Sequence, residues 1–505
     1  MALILWHCGG ARPLRQRTRT ALQSPLRLFA VVVALSMVAS CTVGPDFKAP
    51  DPPPVTGYLP AGDRPPGRIY APGADIPPRW WELFRSRHLN ELIEMGIGHN
   101  ADLQAAEAAV RVAQANTLAQ RGALFPQVAA NWNSSRQQQP TATLASNAAS
   151  GASVYSLHTA QVTVAYVLDV WGGTRRQIES LEALTEAQAF QREGVYLTLT
   201  ANIALAAIQE ASLRGQIAAT RRLIGLQTRL LGILRRQNSL GQIALPDVLV
   251  QETALAQARL LLPPLERQLD QQRHLLATLT GRFPSEEVAA SFRLGSFQLP
   301  RQLPLTLPAD LVCQRPDVRA AEAAVHASNA QIGVAIANRL PQITLSGNAG
   351  STAEAVSHLF APGTNFWMIA GNALQPVFDG GTLRYKQKAA EEAWTQSVAQ
   401  YRSVVLVAFQ NVADVLRALQ ADARALSAAV TAEQAASRSL DLVRRQLEQG
   451  QVSLPILLNA QQAYLQTSLA RVQAEAARLA DIVALFQALG GGWWNRWEAT
   501  IMPPD

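Results

Sequence analysis

The chain has 505 residues, of which 48% are hydrophobic, 16% charged and 6% aromatic, and its formal net charge is +7 at pH 7. This length allows up to about three domains, and the composition excludes an acidic disordered chain. The sequence contains no uninterrupted apolar run of roughly 20 residues, which argues against a bundle of membrane-spanning helices. The positive charge would favour nucleic acid or anionic lipid as a partner if it lay in the folded body of the protein.

The first 40 residues have the pattern of a secretory signal peptide. Five arginines and no acidic residue come before Cys41, and an apolar stretch occupies 28–39. This stretch of about twelve residues is too short to cross a bilayer as a helix. Its end, Val38-Ala39-Ser40-Cys41, resembles a bacterial lipobox, which implies cleavage before Cys41 and a covalent lipid on that cysteine. The alternative is an ordinary cleaved signal followed by a coincidental cysteine.

Cleavage before Cys41 would change the charge and set the destination of the protein. The net charge would fall from +7 to +2, so a nucleic-acid partner loses its support. Thr42 stands where lipoproteins retained in the inner membrane typically have Asp, so we expect the outer membrane as the destination. One acyl anchor holds a protein only weakly, so further acylation or a second insertion device is expected as well.

The segment 41–78 is rich in proline, which removes backbone donors and favours an extended path. We expect a lipid-anchored, semi-rigid leader that could carry the folded body some distance from its lipid. The body is expected to begin near Trp80.

The rest of the chain consists of two copies of one unit. The nine residues that start at Asp102 resemble the nine that start at Asp317, and later matches include Gly241 with Gly450 and Gly281 with Gly490. Self-similarity in the same order indicates a repeated structural unit. The expected division is a signal peptide at 1–40, the leader at 41–78, repeat 1 at 79–290, repeat 2 at 291–493 and a C-terminal tail at 494–505.

Each copy carries the same predicted elements in the same order. A helix of about 25 residues, near 101–123 and near 316–338, is rich in alanine and stops before a proline. Two strand segments follow, and the clearer one in the first copy is 161–170, where Val162 and Val164 belong to a period-two alternation. Strands of about ten residues are long enough to cross an outer membrane.

A much longer helix follows the strands in each copy. The segments 174–240 and 382–449 contain no proline, and about 67 residues in a helix span about 100 Å. Their apolar residues recur at coiled-coil-like steps of three and four. The residues that set this spacing are Leu223, Leu226, Leu230 and Ile233 in the first copy and Val405, Phe409, Val412, Leu416 and Leu419 in the second. Each rod turns at a Gly and a Leu-Pro pair and returns as a helix of about 35 residues.

The number of strands constrains the assembly. Four strands cannot close a barrel, and an open sheet edge is costly in lipid. Three chains would pool twelve strands, an even number within the usual bacterial range. We therefore expect a mainly α fold with membrane β, in which a trimeric 12-stranded outer-membrane β-barrel, with four strands per chain, is continuous with a long periplasmic α-helical barrel.

The chain resembles the TolC-like outer-membrane efflux lipoproteins of the NodT subgroup over essentially its whole length after the signal. The resemblance rests on the repeat, the opening 41–50, the segments 307–311 and 315–322, and the closing 488–493. It implies a homotrimeric channel in outer-membrane lipid that exports drugs or other small compounds. The implied partners are a periplasmic adaptor, or membrane fusion protein, and an inner-membrane transporter of the resistance-nodulation-division type. No cofactor is implied apart from the covalent lipid on Cys41.

The same resemblance places an adaptor-contact site at the periplasmic tips of the long helices. The matching residues are Gly241, Leu245, Pro246 and Asp247 in the first copy and Gly450, Leu454 and Pro455 in the second. Glycine and proline would form these turns in any case, so adaptor contact is an additional role. Some family members have acids just beyond the second turn; this chain has Asn459 and apolar residues there, so Asp247 is the candidate substitute.

Two glycine pairs mark the predicted strand-to-helix junctions. Gly172-Gly173 and Gly380-Gly381 stand where the chain must turn from sheet to rod, which needs a permissive backbone. Phosphate binding at these pairs is the weaker alternative. Lys occurs only at 48, 386 and 388, so a Gly-x-x-x-x-Gly-Lys loop is impossible.

The remaining motifs argue against an enzyme. The sequence contains no His-x-x-x-His or Cys-x-x-Cys pair for a metal and no Gly-x-Ser-x-Gly elbow for an acyl nucleophile. We therefore predict no catalytic and no metal-binding residue. The alternative function is that of a structural or adhesive coiled-coil outer-membrane lipoprotein without a conduit, which would form no pore in lipid.

Overall fold

The computed structural model describes residues 42–51, 53–55, 57–60, 70–138, 154–286, 290–298, 303–305 and 308–496. The predicted signal peptide, Cys41 and the end of the predicted tail from 497 onward lie outside the described residues. The chain divides into two compact units. The strand unit comprises the described residues within 1–44, 123–176 and 333–383, and the helical unit those within 45–122, 177–332 and 384–505.

The elements occur in the order that the sequence predicts, with short additions before each copy. The first half contains β1 (Tyr70–Pro72), α1 (Arg87–His99), α2 (Ala101–Arg121), β2 (Gln127–Gln138), β3 (Val154–Leu168), α3 (Gly173–Ser239), α4 (Leu245–Leu260) and α5 (Leu262–Leu279). The second half contains β4 (Leu303–Leu305), α6 (Pro308–Gln314), α7 (Pro316–Ala337), β5 (Gln342–Ala353), β6 (Asn365–Leu374), α8 (Thr382–Glu448) and α9 (Leu454–Ala488).

The strand unit is organised around one antiparallel sheet in the order β2-β3-β5-β6. The central pairing joins the two repeats, with Leu168 of β3 opposite Ile343 of β5. At Gly350 of β5 an added Cβ would lie 2.7 Å from Cβ of Gln161, so only glycine allows this close approach to β3. β3 has 15 residues and ends two residues earlier than the predicted segment, at Leu168.

The sheet has one apolar face that is exposed on a single chain. Because side chains alternate along a strand, the register places Val128 and Val164 opposite each other on this face, and Val162 is linked through Ala349 to Trp367. Trp367 is 76% exposed. The other face carries polar residues, among them Asn131 beside Gln161. An apolar face and a polar face with period two are what a strand between lipid and an aqueous lumen requires.

The long helices are confirmed to within one residue at each end. α3 and α8 have 67 residues each, which corresponds to about 100 Å of helix. Neither contains a proline, and residues with high helix propensity fill both. Among the described residues, α8 also holds the one helical stretch that is long and apolar enough to cross a membrane, and 28% of this stretch is buried within the chain. Val405 and Val412 are among the residues of α8 that pack into the helical core.

The apolar stripe that the sequence predicts is correct for α8 and shifted for α3. Val405, Val412, Leu416 and Leu419 are buried along α8. In α3, Ile233 is 56% exposed, and the buried residues at this end are Leu223, Gln227, Leu231 and Leu234. Leucines occur on more than one face of α3, so spacing alone could not identify the face that packs within the chain.

The two return helices differ, which corrects the expectation of one helix of about 35 residues in each copy. α9 is a single helix of 35 residues. The first return is divided into α4 and α5 at Leu261, just before Pro263 and Pro264. Proline has no backbone N–H to donate and is tolerated only in the first turn of a helix, so the second segment starts at the proline pair.

The leader packs against the body, although the sequence suggested a spacer that could hold the body away from its lipid. In the helical unit, the ring of Phe47 stacks on His326 with centroids 4.3 Å apart, and Tyr58 packs on Phe409 at 5.6 Å. Burial raises the pKa of the Tyr58 phenol. The core of this unit includes Ile76 of the leader, which is fully buried, and Trp80, which is buried and stacks on Phe486 of α9 at 5.2 Å.

Candidate functional site

The two helical tips have the same backbone turn. Gly241 and Gly450 both have φ of 72°, a left-handed conformation that favours glycine. The N–H of Gly241 donates to the carbonyl of Asn238 and that of Gln242 to Gln237, both at 2.9 Å. Gly450 and Gln451 repeat both bonds, to Leu447 and Gln446, again at 2.9 Å. These bonds satisfy carbonyl groups that each long helix leaves unpaired at its end.

The residues after each turn are alike in sequence and different in burial. Pro246 and Pro455 each stand in the first turn of the next helix, where a missing N–H costs nothing. Leu454 is 8% exposed, whereas Leu245 is 57% exposed. The first tip therefore presents an apolar side chain to its surroundings, and the second tip uses the equivalent side chain to fill a cleft.

That cleft lies inside the helical unit, between the end of α3, the end of α8 and the starts of α4 and α9. It has a volume of about 670 Å³, and its apolar lining includes Leu230, Leu447 and Leu454. Its charged lining is Arg229, Asp247, Asp441, Arg444 and Glu448. We refer to these five side chains as the tip charge cluster.

The tip charge cluster contains two acids besides Asp247, the acid of the first turn that the sequence offers as the candidate substitute. Asp441 and Glu448 line the same cleft from α8, and Arg444 pairs with Glu448 at 3.4 Å on an exposed surface. Both acids precede Gly450 in the sequence, whereas the acids of the family pattern lie beyond the second turn. The signal that could have identified them is the presence of acids in the last turns of α8 before Gly450, at 441 and 448.

Each strand-to-helix junction of the strand unit is built on a carboxylate that caps the following helix. Asp169 accepts hydrogen bonds from the N–H groups of Thr174 at 2.8 Å and Arg175 at 3.0 Å, which caps the start of α3. Asp379 caps α8 in the same way, through Leu383 at 2.8 Å and Gly381 at 2.9 Å. These hydrogen bonds from Leu383 and Gly381 lower the pKa of the Asp379 carboxyl.

The predicted glycines at these junctions have different reasons to be glycine. Gly172, Gly380 and Gly381 have positive φ, of 76°, 64° and 89°, so the turn itself requires them. Gly173 is the first residue of α3, and an added Cβ would lie 2.9 Å from Cβ of Ala337. Its role is close helix packing. The predicted lipidation site, Cys41, lies outside the described residues.

The helical unit also contains two carboxyl groups whose pKa values are raised. Glu210 is fully buried, and burial raises its pKa despite an ion pair with Arg214 at 2.7 Å. Burial, together with a hydrogen bond and repulsion from Asp422, raises the pKa of Asp481 from 3.8 to about 6. Among the described residues no group of three or more His, Cys, Asp or Glu side chains could hold a metal ion.

The family model and the relatives that match this chain both describe outer-membrane efflux proteins. A family model described as outer membrane efflux protein matches residues 92–282 and 307–491. The chain is 30% identical over 472 residues to the antibiotic efflux pump outer membrane protein ArpC of Pseudomonas putida, covering 93% of this chain and 96% of that protein.

Solved structures agree with these relatives. The outer-membrane channel OprN superposes with a TM-score of 0.81 at 26% identity, covering 90% of this chain and 100% of that one. The open state of the Neisseria gonorrhoeae MtrE outer membrane channel gives 0.76, also at 26% identity, with coverage of 90% and 99%. The predicted fold class is therefore confirmed: a mainly helical chain with four membrane strands, of the kind found in trimeric outer-membrane channels.

Proposed function

The chain belongs to the outer membrane efflux protein family and is the outer-membrane channel component of an efflux pump, and we propose how it works. Three chains form a tunnel that conducts drugs or other small compounds passively from the periplasm to the exterior, and the tunnel is gated at its periplasmic helical tips. The family is one of conduits and not of enzymes.

The observation that carries this proposal is the four-stranded sheet with one apolar and one polar face. β2 and β6 stand at the two ends of the strand order, so each has one edge without a partner strand in the described part of the chain. Unpaired backbone groups are too costly in lipid to remain open. Pairing β2 of one chain with β6 of the next satisfies both edges, and three chains close a barrel of twelve strands.

We infer that the helical tips contact the periplasmic adaptor, a membrane fusion protein, and that the inner-membrane transporter is of the resistance-nodulation-division type. The support comes from the first tip, where Leu245 and Leu249 are 57% and 50% exposed next to the Gly241 turn. Exposed apolar side chains at a rigid, polar-rimmed turn are typical of a protein contact surface. Pro246 and Pro455 fix the direction in which each return helix leaves the turn.

Gating is assigned to the tip charge cluster. Three acids and two arginines line one cleft of about 670 Å³. The electrostatic energy of these five charges depends on the separation of the two tips. Coulomb interactions between such charges change by about 1 kcal/mol or more over a few ångströms near a surface. Moving the tips apart or binding cations between Asp247 and Asp441 would therefore shift the gate.

We further propose that Cys41 carries a lipid in the outer membrane, and that the chain is organised as a signal peptide, a leader, two repeats and a tail. The division at 79–290 and 291–493 is supported by the order of the elements, since α2, the strand pair and the long helix recur as α7, a second strand pair and α8. The matched family segments fall one in each half of the chain.

A planar-bilayer recording of the purified trimer tests the proposed function. A channel should give discrete single-channel conductance steps at micromolar or lower protein concentration. A structural or adhesive lipoprotein should give none, and that result with correctly assembled trimers would reject conduction. Asp247→Lys should alter the conductance or its cation sensitivity, whereas the exposed Asp51→Lys in the leader, outside the cleft, serves as its control.

A further inference from the structure

The residues directly after the predicted lipidation site lie in a slot formed by two glycines of the strand unit. An added Cβ on Gly172 would lie 2.9 Å from Cα of Thr42, and one on Gly333 would lie 2.8 Å from the carbonyl oxygen of Val43. Gly44, with φ of 98°, approaches Gly333 so closely that its own Cβ would lie 2.5 Å from Cα of Gly333. Any side chain at these positions would displace the leader.

One buried arginine holds two of these residues, Val43 and Gly44. Nε of Arg176 donates to the carbonyl of Val43 at 3.1 Å, and Nη2 donates to the carbonyl of Gly44 at 3.4 Å. Arg176 is only 5% exposed. The N–H of Val43 donates in turn to the carbonyl of Trp171 at 3.1 Å. Backbone groups of the leader are thus paired on both sides, in a place where charge-assisted bonds are strong.

The strand-to-helix junction of the second repeat has the same turn but no such slot. Gly380 corresponds to Gly172 and has a similar φ, of 64° against 76°, but nothing lies within 4 Å of an added Cβ. Arg384 occupies the position equivalent to Arg176 and is exposed. A strand-to-helix turn can therefore be made without a filled slot or a buried arginine, so the slot in the first copy serves the leader.

We propose that Gly172, Gly333 and Arg176 form a seat for residues 42–44, which fixes the point at which the lipid on Cys41 leaves the protein. The proposal rests on the proposed lipidation of Cys41. Cys41 is bonded to the seated Thr42, and the seat lies beside Trp171, directly after the end of β3. The acyl chains are thereby delivered at the ends of the membrane strands. Because the seat already orders residues 42–44, inserting the lipid costs less conformational entropy than it would with a free tether.

Hydrogen exchange of the Val43 amide in the full-length, assembled protein tests the seat. Arg176→Gln and Gly172→Ala should raise the exchange rate in peptides covering 42–47 by about tenfold or more, because local opening no longer has to break the seat. The matched controls are Arg384→Gln and Gly380→Ala, which make the same chemical changes at the second junction. They should leave exchange at Val43 unchanged, although Gly380→Ala carries the same backbone strain as Gly172→Ala.

The outcomes separate the seat from the lipid. Equal exchange in all four variants, or an unprotected Val43 in the wild type, would overturn the seat. Mass spectrometry of the wild-type N-terminal peptide decides the lipid independently, since an unmodified Cys41 would reject the proposed lipidation even if Val43 is protected. If both stand, Arg176→Gln should keep its lipid yet yield less assembled trimer in the outer membrane than Arg384→Gln; equal yields would mean that the seat does not guide the anchor.

Discussion

The substitution Asp481→Asn should stabilise the helical unit at neutral pH but not at low pH. Burial and the neighbouring Asp422 raise the pKa of Asp481 from 3.8 to about 6, so the folded protein binds this proton more tightly than the unfolded chain. Binding of this proton therefore contributes to the free energy of unfolding at low pH. That contribution to stability is lost as the pH rises from about 4 to about 6. Above that window the half-buried carboxylate is charged beside Asp422 and opposes packing of α9 on α8.

The magnitude follows from the pKa difference and the exposure of the site. A change from 3.8 to about 6 would correspond to about 3 kcal/mol in a fully desolvated pair. Asp481 is only partly buried, so screening by water reduces the expected gain of Asp481→Asn at pH 7.5 to about 1 kcal/mol. At pH 4 the variant and the wild type should be nearly equal, since both then carry a neutral group.

The assay is thermal or denaturant unfolding of the detergent-solubilised protein at several pH values between 4 and 7.5. Asp441→Asn is the control, because Asp441 is exposed on the same helix, α8, that carries Asp422. The reasoning is refuted if Asp481→Asn is less stable than the wild type at pH 7.5, or if the difference between them does not change with pH.

Three further predictions concern the tips and the sheet. Gly241→Ala and Gly450→Ala should each cost about 1 kcal/mol in unfolding experiments, because both residues have φ of 72° and alanine is strained there. Gly350→Ala should abolish the β3–β5 pairing and with it heat-resistant trimers on gels, whereas Gly371→Ala, whose added Cβ would meet only a Leu345 methyl at 3.6 Å, should not. Asp247→Lys should change single-channel conductance or its response to divalent cations; unchanged currents would remove Asp247 from the gate.

The sequence predicts the helices of this protein better than its strands. Glycine and proline bound the long helices at both ends, which is why α3 and α8 are placed to within one residue. On the face of β2 that carries Val128 and Trp132, the strand continues with Ser134 and Arg136, and its other face is mostly polar. Its alternation is therefore weak, and its bounds could not be assigned. A water-filled lumen tolerates such polar residues, so the clear alternation of apolar and polar side chains that marks a half-buried strand is lost.

Part of the candidate site could be predicted from the sequence and part could not. The turns at Gly241 and Gly450 follow from local backbone chemistry, so they could be located from the sequence. Asp441 and Arg176 act through residues distant in the chain, at the first tip and at Val43, so only the fold brings them to their positions. The break at Pro263 was visible in the sequence, but the repeat suggested a continuous helix by analogy with α9.

The two repeats thus share a backbone plan and differ where each one meets something outside it. The first junction holds the leader, while the second is open at Gly380. The first tip exposes Leu245, while the second buries Leu454.

The most direct test of the account is disulfide formation between the two edge strands of the sheet. In a background with Cys313 replaced by serine, single cysteines are scanned along β2 (127–138) and β6 (365–374) in pairs. Within one chain these strands are separated by two others, about 14 Å, which exceeds the reach of a disulfide. Cysteine pairs in register should give oxidised dimers and covalently closed trimers. Monomers at every register, from protein that resides in the outer membrane, would contradict the twelve-stranded barrel.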